Sequence, residues 1–287
     1  MARISSLSIL ETPETQALLA EKYGAIIDNI QKNTISGVLK NKDLSGDPVA
    51  GTVEARRIAN TQSAAYGTAR SGGAGTKIKA PAVVVPLNIN REIINEVEEK
   101  DIKTFGVNDF ISRKTVSNQR TLERELERAF FAAAYSEGTE FTPEGTTALD
   151  KAEELIQSIE TTKNEFVDGV DRALIHMVCK PNFYGQIRNK LDTDTNNASV
   201  TTATGEFGTY HGVMFHSSVY LPDGVDVIAM VEGSVAQPVL TTISNPEKIQ
   251  LSDAYAFGIF FYYGTKAVTP DLIKYISTPE EEDNGET

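Results

Sequence analysis

The chain has 287 residues, of which 40% are hydrophobic and 23% charged, and its formal net charge is −13. This length suffices for a buried core, and the acidic excess argues against a protein that grips nucleic acid by neutralising phosphates. A single cysteine, Cys179, excludes an internal disulfide and fits a reducing compartment. Because no stretch reaches the roughly 18 apolar residues of a membrane span and the N-terminus lacks a signal-peptide core, we expect cytoplasmic synthesis.

The first 80 residues predict two dissimilar segments. Residues 15–39 carry apolar side chains at helical spacing, interrupted at Gly24, which predicts one amphipathic helix or two short ones. Residues 45–80 are rich in glycine and poor in apolar residues, and long loops of this kind are usually functional or disordered. Within this loop we expect residues 52–58 and 74–78 to pair as a protruding hairpin.

Glycines at residues 71–77 raise the question of a phosphate-binding loop. Such a loop needs a lysine followed by serine or threonine. Here Thr76 precedes Lys77 and Ile78 follows it, so the sequence does not predict nucleotide binding.

The next segment runs from an apolar strand at residues 82–85 into a long helix that ends near Tyr135. A helix of about 20 residues spans roughly 30 Å. Its apolar residues keep to one face at helical spacing; they are Val116, Leu122, Leu126, Ala129, Phe130 and Ala133. The opposite face is charged, with an arginine at every fourth position from residue 120 to residue 128. We interpret that face either as a solvated surface or as a strut that faces partner subunits or a packed polyanion.

The second half of the chain mixes helices and strands in an irregular order, which indicates an α+β fold. Thr147 and Asp150 form a variant of the capping box at the start of a helix. A strand at residues 172–179, a helix at 181–191 and a polar loop at 192–208 follow. Residues 210–220 and 225–232 predict strands around a turn at Pro222-Asp223-Gly224, and an aromatic strand occupies residues 257–263.

The histidines and the cysteine are the best candidates for catalysis or metal binding, and their spacing argues against both. If residues 172–180 form a strand, alternation places His176 and Cys179 on opposite faces, and the odd separation of His211 from His216 does the same. No carboxylate lies at a recognisable ligand spacing, and the apolar strand around Cys179 predicts a buried, inert thiol. We therefore assign no catalytic, cofactor-binding or metal-ligating residue and do not predict an enzyme.

The order of these features resembles the major capsid proteins of tailed double-stranded DNA bacteriophages with the Hong Kong 97-like shell fold. The resemblance spans roughly residues 20–276 and rests on the segments 81–86, 106–110, 172–188 and 257–266. It implies an N-terminal arm at 1–44, an extended loop at 45–80, a peripheral domain with a long spine helix at 81–139 and 241–276, an axial domain at 140–240, and an acidic disordered tail at 277–287.

The resemblance also implies a function. Pentamers and hexamers of the chain would self-assemble into an icosahedral shell around double-stranded viral DNA, which would be contacted by non-specific proximity only. The expected partners are further copies, a portal, possible decoration proteins and a scaffolding protein, which we expect to be separate because few residues precede the extended loop. No cofactor or membrane is implied, and the expected location is the virion capsid, assembled in the host bacterial cytoplasm.

Basic residues of the extended loop and of the spine helix are the candidates for contacts between subunits. In the family the loop overlaps the adjacent subunit, where its basic residues would meet acidic partners. The candidates are Arg56, Arg57, Arg70, Lys77, Lys79, Arg120, Arg124 and Arg128.

Two alternatives remain open at this stage. An encapsulin-like nanocompartment would use the same kind of shell to enclose protein cargo. A soluble α+β enzyme acting as a small oligomer would require turnover that depends on His176 or His211.

Overall fold

The structure of this protein is a computed structural model, which describes residues 35–46, 51–61, 63, 65, 78–98, 107–193, 200–201, 206–207, 209–243, 247–250, 252 and 254–278. The predicted helical segment before residue 35, most of the glycine-rich loop and the acidic tail beyond residue 278 lie outside these residues.

The described residues form four helices, two short 3₁₀ turns and sixteen strands. The helices are α1 (Ile35–Leu39), α2 (Val107–Glu137), α3 (Ala148–Glu160) and α4 (Pro181–Thr193), and the 3₁₀ turns are Arg172–Leu174 and Pro270–Leu272. The strands are β1 (Thr52–Arg56), β2 (Ala82–Pro86), β3 (Ile89–Glu98), β4 (Thr139–Glu140), β5 (Ile175–Cys179), β6 (Val200–Thr201), β7 (Glu206–Phe207), β8 (Thr209–Tyr210), β9 (Val213–Ser217), β10 (Val225–Val231), β11 (Val235–Ala236), β12 (Val239–Ile243), β13 (Glu247–Lys248), β14 (Ala254–Tyr263), β15 (Lys266–Ala267) and β16 (Ile273–Ser277).

A mixed six-stranded sheet is the centre of the fold, with the strand order β4-β16-β10-β5-β9-β8. Residues of β5 alternate between its two faces, as the period of a strand requires. Ile175, Met177 and Cys179 pack on one side, with the buried stripes of α3 and α4. Val178 lies on the other side, in the core formed with α2. Both faces of the sheet are therefore covered, which explains why every residue of β5 is buried.

The long helix α2 covers the second face of this sheet with its C-terminal half. Leu122, Leu126 and Phe130 are buried as the apolar stripe predicted, and Phe131 and Ala134 are fully buried beside them. The helix has 31 residues, which corresponds to roughly 46 Å. It is longer than expected because the segment that was expected to lead into it, from Val107 onward, is already helical.

A second sheet is built on β14. All ten residues of β14 pair with β3 in antiparallel register, from Tyr263 opposite Ile89 to Ala254 opposite Glu98. On its other edge β14 pairs with β12 and then with β13. The aromatic strand predicted at residues 257–263 is confirmed, and its alternate residues Ile259, Phe261 and Tyr263 are buried.

Strands β1 and β2 form an antiparallel ribbon, in which Thr52 lies opposite Pro86 and Arg56 opposite Ala82. Two further backbone hydrogen bonds continue the pairing, from the Arg57 amide to the Pro81 carbonyl (3.3 Å) and from the Ala59 amide to the Lys79 carbonyl (2.9 Å). We call residues 52–60 and 78–86 the ribbon. A hairpin was predicted here, but its partner strand was wrong: the first strand pairs with residues 82–86 instead of 74–78.

Three local predictions need correction and one is confirmed. Residues 210–220 are not one strand, because His211 and Gly212 have φ values of 48° and 89° and form the tight turn between β8 and β9, as two-residue hairpin loops require. The strand expected from residue 172 begins only at Ile175, after a 3₁₀ turn. Short strands β6 and β7 occupy part of the predicted polar loop. The Asp150 amide donates to the Thr147 hydroxyl at 3.1 Å, which confirms the predicted cap of α3.

The division into domains stays a prediction, and the structure adds one relation to it. Strand β16 belongs to the segment 241–276, yet it pairs with β10 of the segment 140–240. The two predicted segments thus share the six-stranded sheet.

Candidate subunit-contact surface

One face of the ribbon carries exposed apolar side chains. By the register, Val84 lies opposite Glu54 and Ala82 opposite Arg56, and alternation places Ile58 and Ile78 on the same face. The exposed fractions are 66% for Ile58, 80% for Ile78 and 42% for Val84. Isolated exposed apolar residues are ordinary, whereas a contiguous group marks an interaction surface. These three residues, with Ala80 and Ala82 between them, form what we call the outer face.

The opposite face of the ribbon packs onto the body of the protein. Val53, Ala55 and Val85 are between 0% and 2% exposed. Ala55 and Val85 join a small core with Ala236 and Val268. The ribbon is therefore fixed on one side and open on the other.

Arg57 follows β1 on the face of the ribbon that packs onto the body, and its partner is in its own chain. Its two terminal nitrogens donate to the two carboxylate oxygens of Asp271 at 2.6 and 2.8 Å, and its guanidinium carbon lies 4.6 Å from the centre of the Phe166 ring. Burial raises the pKa of Asp271, but hydrogen bonds from Arg57 and Asn164 and the Arg57 charge outweigh it, so the pKa lies below its ordinary value. No local sequence pattern predicts this ion pair, because its two residues are 214 positions apart.

The other predicted contact residues of the loop behave differently. Arg56 is on the outer side of the ribbon and pairs with Glu54 at 3.3 Å, and its side chain is 62% exposed. Lys79 pairs with Glu165 at 3.5 Å and is 73% exposed. Exposed pairs of this kind contribute little to stability, so both side chains are available to a neighbour. Arg70 and Lys77 lie outside the described residues.

The arginines of α2 are exposed, as the sequence predicted. Arg124 donates to the Arg120 carbonyl at 3.0 Å and to the Thr121 hydroxyl at 3.3 Å. The guanidinium carbon of Arg128 lies 5.7 Å from the centre of the Tyr220 ring. These contacts hold the arginine stems along the helix surface and leave the charges in solvent.

Two acidic residues of α2 contact other elements of the fold. Glu127 is only 4% exposed, and its carboxylate accepts the Ser36 amide of α1 at 3.2 Å. Burial raises the pKa of Glu127 against the lowering effect of the Ser36 hydrogen bonds. Glu125 instead reaches the second sheet, where Arg91 donates to it at 2.9 Å and the Tyr263 hydroxyl at 3.1 Å. The carboxylates thus tie α2 to α1 and to β3 and β14.

The histidines form a pair that the sequence reasoning missed. The Nδ1 atom of His176 lies 3.2 Å from Nε2 of His216, and the rings stack with centroids 5.5 Å apart. Burial lowers the pKa of His216 to about 4, with a further contribution from the nearby His176. Burial also lowers the pKa of His176, although Glu232 opposes the shift. The pairing follows from the parallel register of β5 and β9, which the sequence does not reveal.

Cys179 and His176 do lie on opposite faces of β5, as predicted. Cys179 is fully buried, and burial raises the pKa of its thiol, with Asp226 adding to the effect. A thiol in such surroundings is a poor nucleophile. Its role is packing in the core beneath α3 and α4.

A second charged cluster surrounds Arg172. Its guanidinium donates to Glu153 at 2.7 Å and to Glu160 at 2.9 Å, and His211 lies 3.4 Å from the other Glu153 oxygen. Burial raises the pKa of Glu153, but the Arg172 hydrogen bond and charge lower it more, so the net shift is downward. The cluster joins α3 to the 3₁₀ turn before β5 and to the β8–β9 turn.

Two kinds of site are absent among the described residues. Within these ranges no three of the His, Cys, Asp and Glu side chains are grouped so that they could hold a metal ion. None of the helices described is long and apolar enough to cross a membrane.

The architecture defines the fold. A long helix on a mixed sheet, a second sheet built on a ten-residue strand pair and an antiparallel ribbon form the Hong Kong 97-like α+β fold, as the sequence predicted. No protein-family model matches the sequence, and no curated protein matches it.

Solved structures with this fold come from several sources. A chain from Mycobacterium phage Che8 matches with a TM-score of 0.64 and 17% identity, over 85% of this chain and 91% of the other. A chain of the capsid structure of the cyanophage P-SCSP1u matches with a TM-score of 0.64 and 13% identity, over 85% and 88%. A virus-like particle from Pyrococcus furiosus matches with a TM-score of 0.52 and 12% identity, over 90% and 98%. At these identities the similarity establishes the fold.

Proposed function

We infer that this chain is a major capsid protein, the repeated subunit of an icosahedral phage shell around double-stranded DNA. The observation that carries the inference is the outer face of the ribbon: Ile58, Ile78 and Val84 are exposed on one face, while the opposite face is packed onto the body of the protein. A monomer leaves this apolar surface in water, and a second copy of the chain covers it.

A contact of this size can hold a shell together when it is repeated between many copies. Burial of apolar surface stabilises by about 25 cal/mol per Å², so one narrow ribbon gives only a weak contact. In a closed ring each subunit makes the same contact with the next, and heterologous contacts that close generate rings. Many weak contacts in one particle then add up through high effective concentration. Pentamers and hexamers built in this way form the shell.

The charge of the chain fits a container for DNA. A net charge of −13 repels a dense polyanion at long range, and salt partly screens this repulsion. Packaged DNA therefore lies near the wall by non-specific proximity. The same role places the chain in the virion capsid after assembly in the host bacterial cytoplasm. A separate scaffolding protein, a portal and decoration proteins are the partners of such a shell.

Basic residues supply the polar part of the contacts between copies. Arg56 and Lys79 flank the outer face with weak partners of their own, and Arg120 and Arg124 are exposed on α2. Arg128, Arg70 and Lys77 remain candidates for the same role. Acidic surfaces of a neighbouring copy, which are abundant in a chain with 40 Asp and Glu residues, are their partners.

A nanocompartment that encloses protein is the second candidate. The similarity to a virus-like particle from Pyrococcus furiosus favours it, because the same fold builds that particle. A soluble α+β enzyme is the remaining candidate, and its distinguishing feature is turnover that depends on His176 or His211.

The test is to purify the full chain, expressed alone and then with the proteins encoded beside it, and to use mass photometry and negative-stain microscopy. Closed particles of uniform size, or pentamers and hexamers that close when a scaffold is added, support a shell. Nuclease-protected DNA inside them distinguishes a capsid from a compartment filled with protein. A chain that stays monomeric or dimeric under all these conditions contradicts the proposal.

A further inference from the structure

The ribbon meets the body of its own chain at a polar junction. Arg57, the first residue after β1, faces the 3₁₀ turn Pro270–Leu272, and the bidentate pair with Asp271 has distances of 2.6 and 2.8 Å. The Arg57 side chain is only 17% exposed and that of Asp271 only 27%. A bidentate guanidinium–carboxylate pair with this little exposure is both stronger and more directional than the exposed pairs at Arg56 and Lys79.

A third segment completes the junction. The loop that follows α3 places the Phe166 ring under the Arg57 guanidinium, 4.6 Å away. In the same loop the Asn164 side-chain nitrogen Nδ2 donates to Asp271, while its side-chain oxygen Oδ1 accepts the backbone amides of Phe166 and Val167 at 2.8 and 2.9 Å. This last arrangement is an Asx turn, which fixes the loop locally. Arg57 is therefore held from two sides by segments that are themselves ordered.

The backbone of the ribbon is tied to the same loop. The Asn60 amide donates to the Glu165 carbonyl at 2.8 Å. The Ala59 amide, one residue earlier, donates within the ribbon to Lys79 at 2.9 Å. Exchange at Asn60 thus reports docking of the ribbon on the body, and exchange at Ala59 reports the integrity of the ribbon itself.

We propose that Arg57, Asp271, Asn164 and Phe166 form a latch that sets the direction of the ribbon within its own chain, so that its outer face is already oriented when a second copy arrives. The effect on assembly rests on the proposed function, whereas the latch itself does not. A surface fixed before binding loses less conformational entropy on association. Arg57 was predicted to contact a neighbouring subunit. In this proposal it affects the contact between copies indirectly, by holding the ribbon in place.

Amide hydrogen exchange of the full-length chain, at a concentration below that at which it assembles, tests the latch. In Arg57→Ala and Asp271→Asn we expect the Asn60 amide to exchange about tenfold faster than in the wild type, because local opening becomes easier. We expect Ala59 to keep its protection, since the β1–β2 pairing is intact. Arg57→Lys keeps the charge but cannot bridge both oxygens, so its effect is intermediate.

Arg56→Ala is the matched control. It removes the neighbouring arginine, which points to the outer side of the ribbon, and leaves Asn60 exchange at the wild-type rate. Equal Asn60 exchange in Arg57→Ala, Asp271→Asn and the wild type would overturn the latch. Equal acceleration at Asn60 and Ala59 would also overturn it, because the ribbon as a whole would then have unfolded.

Assembly of Arg57→Ala and Asp271→Asn gives the second readout, for which Arg56→Ala is not a control because Arg56 flanks the outer face. With the latch broken, we expect particles of mixed diameter or open sheets where the wild type gives uniform closed particles. If Arg57→Ala shows faster Asn60 exchange but still forms uniform particles, the latch exists and its proposed role in assembly is wrong. If the wild type forms no particle at all, the proposed function fails, and the exchange experiment still decides whether the latch exists.

Discussion

The six-stranded sheet and the ribbon use their apolar residues in opposite ways. Both faces of the sheet are covered by helices, and β5, at its centre, is buried along its whole length. The ribbon is covered on one face only, and it leaves Ile58 and Ile78 more than half exposed. The sheet supplies the stability of the single chain, whereas the ribbon leaves an apolar surface that, in the proposed function, a second copy covers.

Substitutions in these two regions should therefore change different properties of the protein. A substitution in the sheet lowers the free energy of unfolding of the isolated chain. A substitution on the outer face leaves that free energy almost unchanged and acts on association. Four predictions test this separation, beginning with the largest effect on folding.

Phe130→Ala should destabilise the chain most. The side chain is fully buried between α2 and the sheet, and such truncations cost about 3–5 kcal/mol through lost burial and the cavity that remains. Chemical denaturation followed by circular dichroism measures the change. Arg124→Ala, on the exposed side of the same helix, should stay within about 0.5 kcal/mol of the wild type. A loss below about 1 kcal/mol for Phe130→Ala would mean that α2 is not part of the core.

The histidine pair should make the sheet sensitive to pH. Burial holds the pKa of His216 at about 4, below its ordinary 6.5, so between these values the unfolded chain binds more protons. Stability is therefore complete above pH 6.5 and falls as the pH falls toward 4. From pH 7 to 5 we expect a loss of about 1–2 kcal/mol.

His216→Asn removes the histidine with the larger pKa shift and should reduce this slope in thermal melts at pH 7, 6 and 5, leaving the smaller contribution of His176. His211→Asn is the matched control, because the His211 side chain is 59% exposed and its positive φ is one that asparagine tolerates. A slope that is the same in His216→Asn and the wild type would remove the pair as the cause.

Tyr263→Phe should weaken the attachment of α2 to the second sheet. It deletes the hydrogen bond to Glu125 (3.1 Å), with an expected cost of about 1 kcal/mol. Burial and the Glu125 charge raise the pKa of Tyr263 to about 12, so an ultraviolet titration should show one late-ionising tyrosine fewer in the variant than in the wild type. Tyr262→Phe, on the opposite face of β14, should retain the late step.

The smallest effect on folding is expected for the double variant Ile58→Thr with Ile78→Thr. Threonine keeps the β-branched shape that suits a strand, and both positions are exposed, so unfolding should change by no more than about 0.5 kcal/mol. Particle formation should nevertheless be lost, as measured by mass photometry. Val53→Thr, on the buried face of the same ribbon at 2% exposure, should show the reverse, a folding loss above about 1 kcal/mol. If the double variant assembles normally, the outer face is not a contact.

Local chemistry made part of the fold predictable. The stripe of Leu122, Leu126 and Phe130 needs only helical periodicity, and the cap at Thr147 needs only a hydroxyl and an acidic residue three positions on. The α+β class and the capsid fold followed from the order of such elements. These features depend on neighbours within a few residues, which a sequence displays directly.

Long-range pairing made the rest unpredictable. Residues 52–58 were predicted to pair with residues 74–78. In the structure β1 pairs with β2, and Val85 of β2 joins Ala55 of β1 in a buried core. The His176–His216 pair depends on two strands being parallel and in register. The latch joins Arg57 to a residue near the other end of the chain. The burial of Glu127 depends on its contact with Ser36, which lies 91 residues away.

Gly264 follows β14, and at this position a side chain has no room. A Cβ atom there would lie 1.8 Å from the Pro86 carbonyl oxygen and 2.8 Å from the Pro86 carbonyl carbon, and a backbone cannot yield as a flexible side chain can. Pro86 is the last residue of the ribbon, and β3 begins three residues later. The backbone at Gly264 therefore packs against the short connection between the ribbon and β3. We therefore expect glycine to be the only residue that selection tolerates at position 264. We expect random mutagenesis with selection for assembled particles to recover changes at Thr265 and never at Gly264.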